Sequence, residues 1–175
     1  IIWGAYILRA DGTFGSNVIV STTTPTAINS WSEKTVGDSA SPITAIIDDG
    51  VNLLVIKTNG VWPYSDGNSE QLVNFDSDAH PDNGRGAISW NGHVLIPKGA
   101  GGLWELVDGA LYDISLKLKV PDDTTLHGRV VAVAGSGDSL FILVQDTTNL
   151  KYHLMMVKWL DIGATRDYRW HHMGI

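Results

Sequence analysis

Gly60-Val61-Trp62-Pro63-Tyr64-Ser65-Asp66-Gly67 returns further along the chain as Gly102-Leu103-Trp104-Glu105-Leu106-Val107-Asp108-Gly109, 42 positions later. The same offset pairs Ala45 with Ala87, Ile46 with Ile88, Gly50 with Gly92 and Leu53 with Leu95, so eight identities share one gapless register. Self-similarity at a fixed period is the mark of a repeat architecture. A third copy starts at Val130-Val131-Ala132-Val133, turns through Gly135-Ser136-Gly137-Asp138 and continues as Ser139 to Val144. Its second half, Lys151 to Trp159, keeps a strand pattern and loses the Trp and Asp-Gly signature.

Within each copy the apolar residues fall in short runs, such as Ile43 to Ile47, Leu53 to Lys57 and Val94 to Lys98, bounded by Gly, Asn and Asp. That spacing predicts strands, not helices. Asp49-Gly50, Asn59-Gly60, Asp66-Gly67, Asn91-Gly92 and Asp108-Gly109 supply hairpin turns, because Asn and Asp tolerate positive φ and Gly adopts it without a Cβ penalty. Consecutive strands are therefore expected to pair as a meander: Ile43 to Ile47, Leu53 to Lys57, Val61 to Ser65 and Gln71 to Phe75 in the first unit, with matching strands near Ala87, Val94, Leu103 and Leu111.

A four-stranded antiparallel meander of about 42 residues is the size of one β-propeller blade. The fold class expected is thus all-β, with a partial blade over 1–30 and fuller blades over about 42–76, 84–118 and 128–175. One small sheet cannot cover its own two faces, so blades stack face to face, and Trp62 and Trp104 would wedge between neighbours. Closed propellers usually have four to eight blades. A chain of 175 residues holding one partial and three fuller units is therefore expected to be an excerpt of a larger propeller, leaving a sheet edge or an apolar blade face open. A β-sandwich would explain the alternation of apolar and polar residues but not the repeat.

Composition narrows the function. The absence of cysteine excludes disulfides, zinc-thiolate sites and thiol nucleophiles. Net charge is -7, and the cations Arg9, Lys34, Lys57, Arg85, Lys98 and Arg129 are scattered singly, which argues against a nucleic-acid partner. Every apolar run is interrupted well short of the roughly 18 to 20 residues a spanning helix needs, so no membrane insertion is expected. The chain opens Ile1-Ile2-Trp3 without a basic and then apolar leader, so no secretory signal is read.

The succession of strand, Asn-Gly or Asp-Gly, strand, Gly-aromatic, strand and Asp-Gly resembles the degenerate propeller repeats of bacteriophage virion and tail proteins and of bacterial sensor ectodomains. The resemblance covers Ile43 to Ser115 well and the rest loosely. It implies a virion or extracellular setting and contacts with protein partners or with further parts of the same propeller. Gly-His and Trp-Asp pairs of the WD type are missing, and Asp11-Gly12-Thr13-Phe14 has the ingredients of a sialidase Asp box without its spacers.

Catalytic motifs are lacking, and the catalytic set is read as none. There is no Gly-x-Ser-x-Gly elbow, no His-Glu-x-x-His pair and no phosphate-cradling Gly-Lys loop. Gly99-Ala100-Gly101-Gly102 falls where the repeat predicts a turn. The chain is accordingly read as a non-catalytic structural or binding module, with a carbohydrate-binding propeller or glycan-active enzyme as the alternative. For that alternative, Trp31, Trp90 and Trp170 are the candidate rings to stack on sugars. The stretch from Asp76 to Gly84 alternates oxygen ligands, and Asp76, Asp78 and Asp82 are the candidate ligands for calcium, although the bidentate Glu of an EF-hand is absent. His171-His172 would point to opposite faces of a strand and so cannot easily share a metal.

Overall fold

The computed structural model describes residues 2–8, 11–24, 31–64, 70–115, 128–146, 150–162 and 165–173. They form four antiparallel sheets in which every strand pairs with its neighbours in sequence. Sheet I holds β1 (Ile2–Leu8), β2 (Phe14–Thr22) and β3 (Ser32–Thr35). Sheet II holds β4 (Ile43–Asp48), β5 (Leu53–Lys57), β6 (Gly60–Tyr64) and β7 (Val73–Asn74). Sheet III holds β8 (Ile88–Trp90), β9 (His93–Pro97), β10 (Leu103–Val107) and β11 (Ala110–Asp113). Sheet IV holds β12 (Gly128–Ser136), β13 (Ser139–Asp146), β14 (Tyr152–Ile162) and β15 (Thr165–His172). Among the described residues the only helical element is a single 3₁₀ turn at Asp76–Asp78. The chain divides into two compact units, 1–81 and 82–175.

In the first unit, sheets I and II meet through apolar faces. Val55 stands opposite Ile46 on one side and Trp62 on the other, so the three share a face. That face packs with Ile19, Val36 and Ile43 into one buried cluster. Each such side chain contributes about 1.5–3 kcal/mol by leaving water. Sheet I has one strand more than the expected partial blade at 1–30. Ser32-Glu33-Lys34-Thr35 pairs with Val18 to Ser21 even though all four of its side chains are exposed. Lys34 Nζ lies 5.4 Å from the Tyr64 ring centroid, but the strand buries no side chain, which is why its polar composition reads as a connection.

In the second unit, Trp90, Leu95 and Leu103 of sheet III pack on Val130, Leu140, Ile142, Val144, Met155 and Val157 of sheet IV. The alternation along β13, with Leu140, Ile142 and Val144 all fully buried, is the period-two pattern of a strand with one face in the core. Trp90 fills a recess made by Gly135, where an added Cβ would stand 2.2 Å from the indole Cδ1. Its indole N–H donates to the Gly137 carbonyl at 3.0 Å. At the opposite end of the sheets, Gly102 N–H donates to the Gly128 carbonyl at 3.1 Å, and Gly84 N–H to that of Pro97 at 2.8 Å.

The turns at Asn91-Gly92 (φ 50° and 78°) and Asp108-Gly109 (φ 50° and 77°) are the expected positive-φ hairpins. Asp66-Gly67 lies outside the described residues.

The two central meanders exist, but the gapless register of 42 does not hold. Trp62 pairs with Val55, and Trp104 pairs with Ile96. Ile47 pairs with Leu54, and Ile88 with Leu95. The third strands therefore correspond at an offset of 42, whereas Val55 to Ile96 and Ile47 to Ile88 differ by 41. The cause is the turn Lys98 to Gly102, one residue longer than Lys57 to Gly60. A one-residue shift moves side chains to the other face of a strand. Leu53 accordingly faces the cluster with sheet I, and Leu95 faces sheet IV, so the Leu53/Leu95 identity is not a structural equivalence.

Candidate functional site

Charged groups buried in a small β protein are the natural place to look for chemistry. Two kinds occur here. The first is a lysine laid over a tryptophan, once in each unit. In sheet II the fully buried Lys57 holds its Nζ 5.2 Å from the Trp62 ring centroid. It donates to the Asp38 carbonyl and lies 4.0 Å from the Asp38 carboxylate. In sheet III Lys98 Nζ lies 4.9 Å from the Trp104 ring and 2.8 Å from Asp113 Oδ2. Lys57 ends the second strand of its sheet and Lys98 stands one residue past the end of its own, and the tryptophan sits in the third strand, two residues past a glycine. The acid comes from a different place in each case, from the connection before β4 and from β11. Cation–π contact and a counter-ion together make these clamps internally complete.

Burial pulls the Lys57 ammonium below its ordinary range, and the Asp38 carboxylate opposes that shift. At Asp113, partial burial pushes the carboxyl up, but hydrogen bonds from Lys98 and Ser115, with the Lys98 charge, outweigh it and hold the group below the usual carboxylate range. A carboxylate with a lowered folded-state pKa contributes stability that is present above its unfolded value, about pH 4, and lost as the pH falls through the folded value. Asp113→Asn is therefore expected to flatten the acid limb of a melting-temperature profile below about pH 4. An acid limb identical to that of the parent chain would count against the clamp.

The second kind is a histidine–carboxylate pair in sheet III. Strand register places His93 and Glu105 two residues apart diagonally on the face that carries Leu95 and Leu103 toward sheet IV. His93 Nδ1 lies 2.5 Å from Glu105 Oε1, with the two side chains only 3% and 9% exposed. Such a dyad has the makings of an acid–base pair. At this depth, however, a reactant reaches it only if sheets III and IV part, and the geometry describes an imidazole–carboxylate contact built into a sheet interface.

The residues singled out in the sequence separate. Trp31 precedes β3 and is 38% exposed, open for stacking. Trp90 is 6% exposed, and its indole is committed to Gly135 and Gly137, which corrects the expectation that its face is offered to a sugar. The ring folds back under the β12–β13 hairpin. Trp170 stands on β15 across from Val157, and its side chain lies outside the described residues, as do those of His171 and His172.

Asp76 and Asp78, both exposed, belong to the 3₁₀ turn of the first unit, where Asp76 takes a φ of 46°. Asp82 belongs to the second unit and is engaged by two cations, Arg85 Nε at 3.1 Å and Arg129 at 3.2 Å. Among the described residues, no group of three or more His, Asp or Glu side chains is gathered to hold a metal ion. Among them, too, no helix is long and apolar enough to cross a membrane.

His93, Glu105 and the two clamps are absent from the sequence reading, and only the lysine before Gly-x-Trp, in Lys57 to Trp62 and Lys98 to Trp104, offered a local signal. No protein-family model, curated protein or solved structure matches this chain.

Proposed function

We propose that the chain is a run of consecutive β-propeller blades that acts as a non-catalytic structural or binding module, a component of a virion or another protein assembly that presents rigid loops to protein partners. The observation that carries this reading is the repetition of the same clamp, lysine over tryptophan, in two successive four-stranded meanders. A device repeated at one place in successive sheets belongs to a stacked repeat more naturally than to a sandwich. The loops support a scaffolding role as well, because their acids brace the backbone. Asp49 Oδ1 accepts from the N–H of Val51 and of Asn52, and Asp38 Oδ1 from that of Ala40 and of Ser41.

Class averages of the particle in negative-stain electron microscopy test the architecture. A ring or an arc of blades around a channel is expected, and a compact two-layer particle would overturn it. For the function, a glycan array probed with the chain should stay blank. Saturable binding of one glycan class, lost in Trp31→Ala, would replace the assembly reading with the carbohydrate-binding one.

A further inference from the structure

Three Asn-Gly pairs occur in the chain: Asn59-Gly60, Asn83-Gly84 and Asn91-Gly92. In such a pair the glycine nitrogen, with no side chain to hinder it, closes a five-membered ring on the asparagine carboxamide carbon wherever the backbone between them can rotate and water can enter. The fold treats the three differently. Asn83 is fully buried, its Oδ1 accepts from the Gly99 N–H at 2.8 Å, and the Gly84 N–H is committed to the Pro97 carbonyl at 2.8 Å. Asn59 keeps its Oδ1 buried and its Nδ2 3.3 Å from Asp38 Oδ2, and Gly60 is so tightly enclosed in β6 that an added Cβ would stand 2.4 Å from the Val73 carbonyl oxygen. Asn91 and Gly92 are both exposed at the tip of the β8–β9 hairpin, and an added Cβ at Gly92 would meet nothing within 4 Å.

We propose that Asn91-Gly92 is a self-modification site, at which the chain converts its own asparagine to aspartate and isoaspartate and thereby loosens the packing of sheet III on sheet IV. Hydroxide removes the Gly92 amide proton, the nitrogen bonds to Asn91 Cγ, the Cγ–Nδ2 bond breaks, and ammonia leaves with a proton taken from water. A water molecule then opens the cyclic imide at one of its two carbonyls. Breaking the new N–Cγ bond gives aspartate, and breaking the original peptide bond gives isoaspartate, whose main chain runs through the side-chain carbon. Nothing is oxidised or reduced, and water is the sole co-reactant. The tip can make the rotation that ring closure requires, because a two-residue turn opens locally while the buried length of its strands stays paired.

The place of the hairpin gives the reaction its effect. Asn91 Nδ2 donates to the Gly137 carbonyl at 3.3 Å, and the Trp90 indole N–H donates to the same oxygen at 3.0 Å. Conversion replaces an amide donor with a carboxylate that can only accept, so attraction to that carbonyl becomes repulsion. Isoaspartate also inserts one carbon into the main chain of a two-residue turn whose strands pair directly at Trp90 and His93. Both changes act where Trp90 is held beneath the β12–β13 hairpin, and Trp90 belongs to the core between the two sheets. The inference stands on this one hairpin and does not require the blade reading.

Peptide mass mapping of the chain aged in warm, mildly alkaline buffer tests it, beside the same chain aged in concentrated urea. In the folded chain Asn91 should convert roughly ten times faster than Asn59 or Asn83, or more, and in urea the three rates should draw together, because only folding sets them apart. The converted chain, separated by its added negative charge on an anion-exchange column, should melt several degrees below the fresh one. Asn91→Gly, which keeps a turn-forming pair and removes the carboxamide, should lose the fast conversion and hold its melting temperature on ageing. The mapping of the parent chain does not depend on that variant. Asn59 or Asn83 converting as fast as Asn91 in the folded chain, an Asn91 that stays intact there, a disparity that persists unchanged in urea, or a converted chain that melts like the fresh one would each overturn the proposal.

Discussion

Glu105→Ala is expected to lower the unfolding free energy by about 3–5 kcal/mol, because it takes the neighbouring carboxylate from the buried His93 while leaving the imidazole between two sheets. A charged imidazole there would lose the Glu105 counter-charge, and a neutral one would lose that contact at a cost of about 1–3 kcal/mol. Against a total stability of about 5–15 kcal/mol, a loss of that size brings the chain close to unfolding. The double variant His93→Leu/Glu105→Leu should be far milder, since exchanging a buried pair for apolar side chains of similar volume is often neutral or stabilising. Urea denaturation of the two single variants and the double one closes the cycle. If Glu105→Ala proved as mild as the double variant, the pair would have no energetic coupling and its place in the sheet III–IV interface would need another account.

The second large effect belongs to the tryptophans. Trp62 and Trp104 are each 4% exposed, each lies under a lysine, and truncation to alanine should cost about 3–5 kcal/mol in both cases. Trp31, at 38% exposure beside an all-polar strand, should cost well under that when truncated. Thermal melting of the three alanine variants side by side gives the comparison. Collapse of Trp31→Ala with parent-like melting of the other two would reverse the assignment of core and surface.

Much of this fold is legible in the sequence because hairpins announce themselves locally. Asn91-Gly92 and Asp108-Gly109 need only four residues of context to fix a positive-φ turn, and both stand where expected. The extra residue between Lys98 and Gly102 is different in kind, because a turn lengthened by one leaves composition unchanged and flips every preceding side chain relative to the repeat. The coincidental match of Leu53 with Leu95 then looked like confirmation. β3 is hidden for the opposite reason: the side chains of Ser32 to Thr35 are all exposed, so the strand has no apolar pattern to read.

The site was less legible than the fold. His93 and Glu105 are 12 positions apart and meet only through the pairing of β9 with β10, so a register error of one residue hides them on opposite faces. The clamps are nearer to visibility, since lysine and tryptophan belong to one hairpin. Their acids are not, because Asp38 and Asp113 arrive from opposite directions along the chain.

The purely sequential pairing of strands also sets the order in which this molecule can assemble. Among the described residues no ladder waits for a distant segment: β4 to β7 need only their own turns and connections to close, and the same holds within each of the other sheets. Closing short loops has a small entropic cost, and hairpins form in about 1–10 μs, so each meander can gain its backbone bonds before the next is complete. What then remains is the docking of one finished sheet on another, which buries Val55 and Trp62 or Leu95 and Ile142 in a single step. During synthesis the chain therefore acquires order from its amino terminus onward, one sheet at a time, and the kinetic hazard lies in the interval when a completed sheet awaits the neighbour that will cover it.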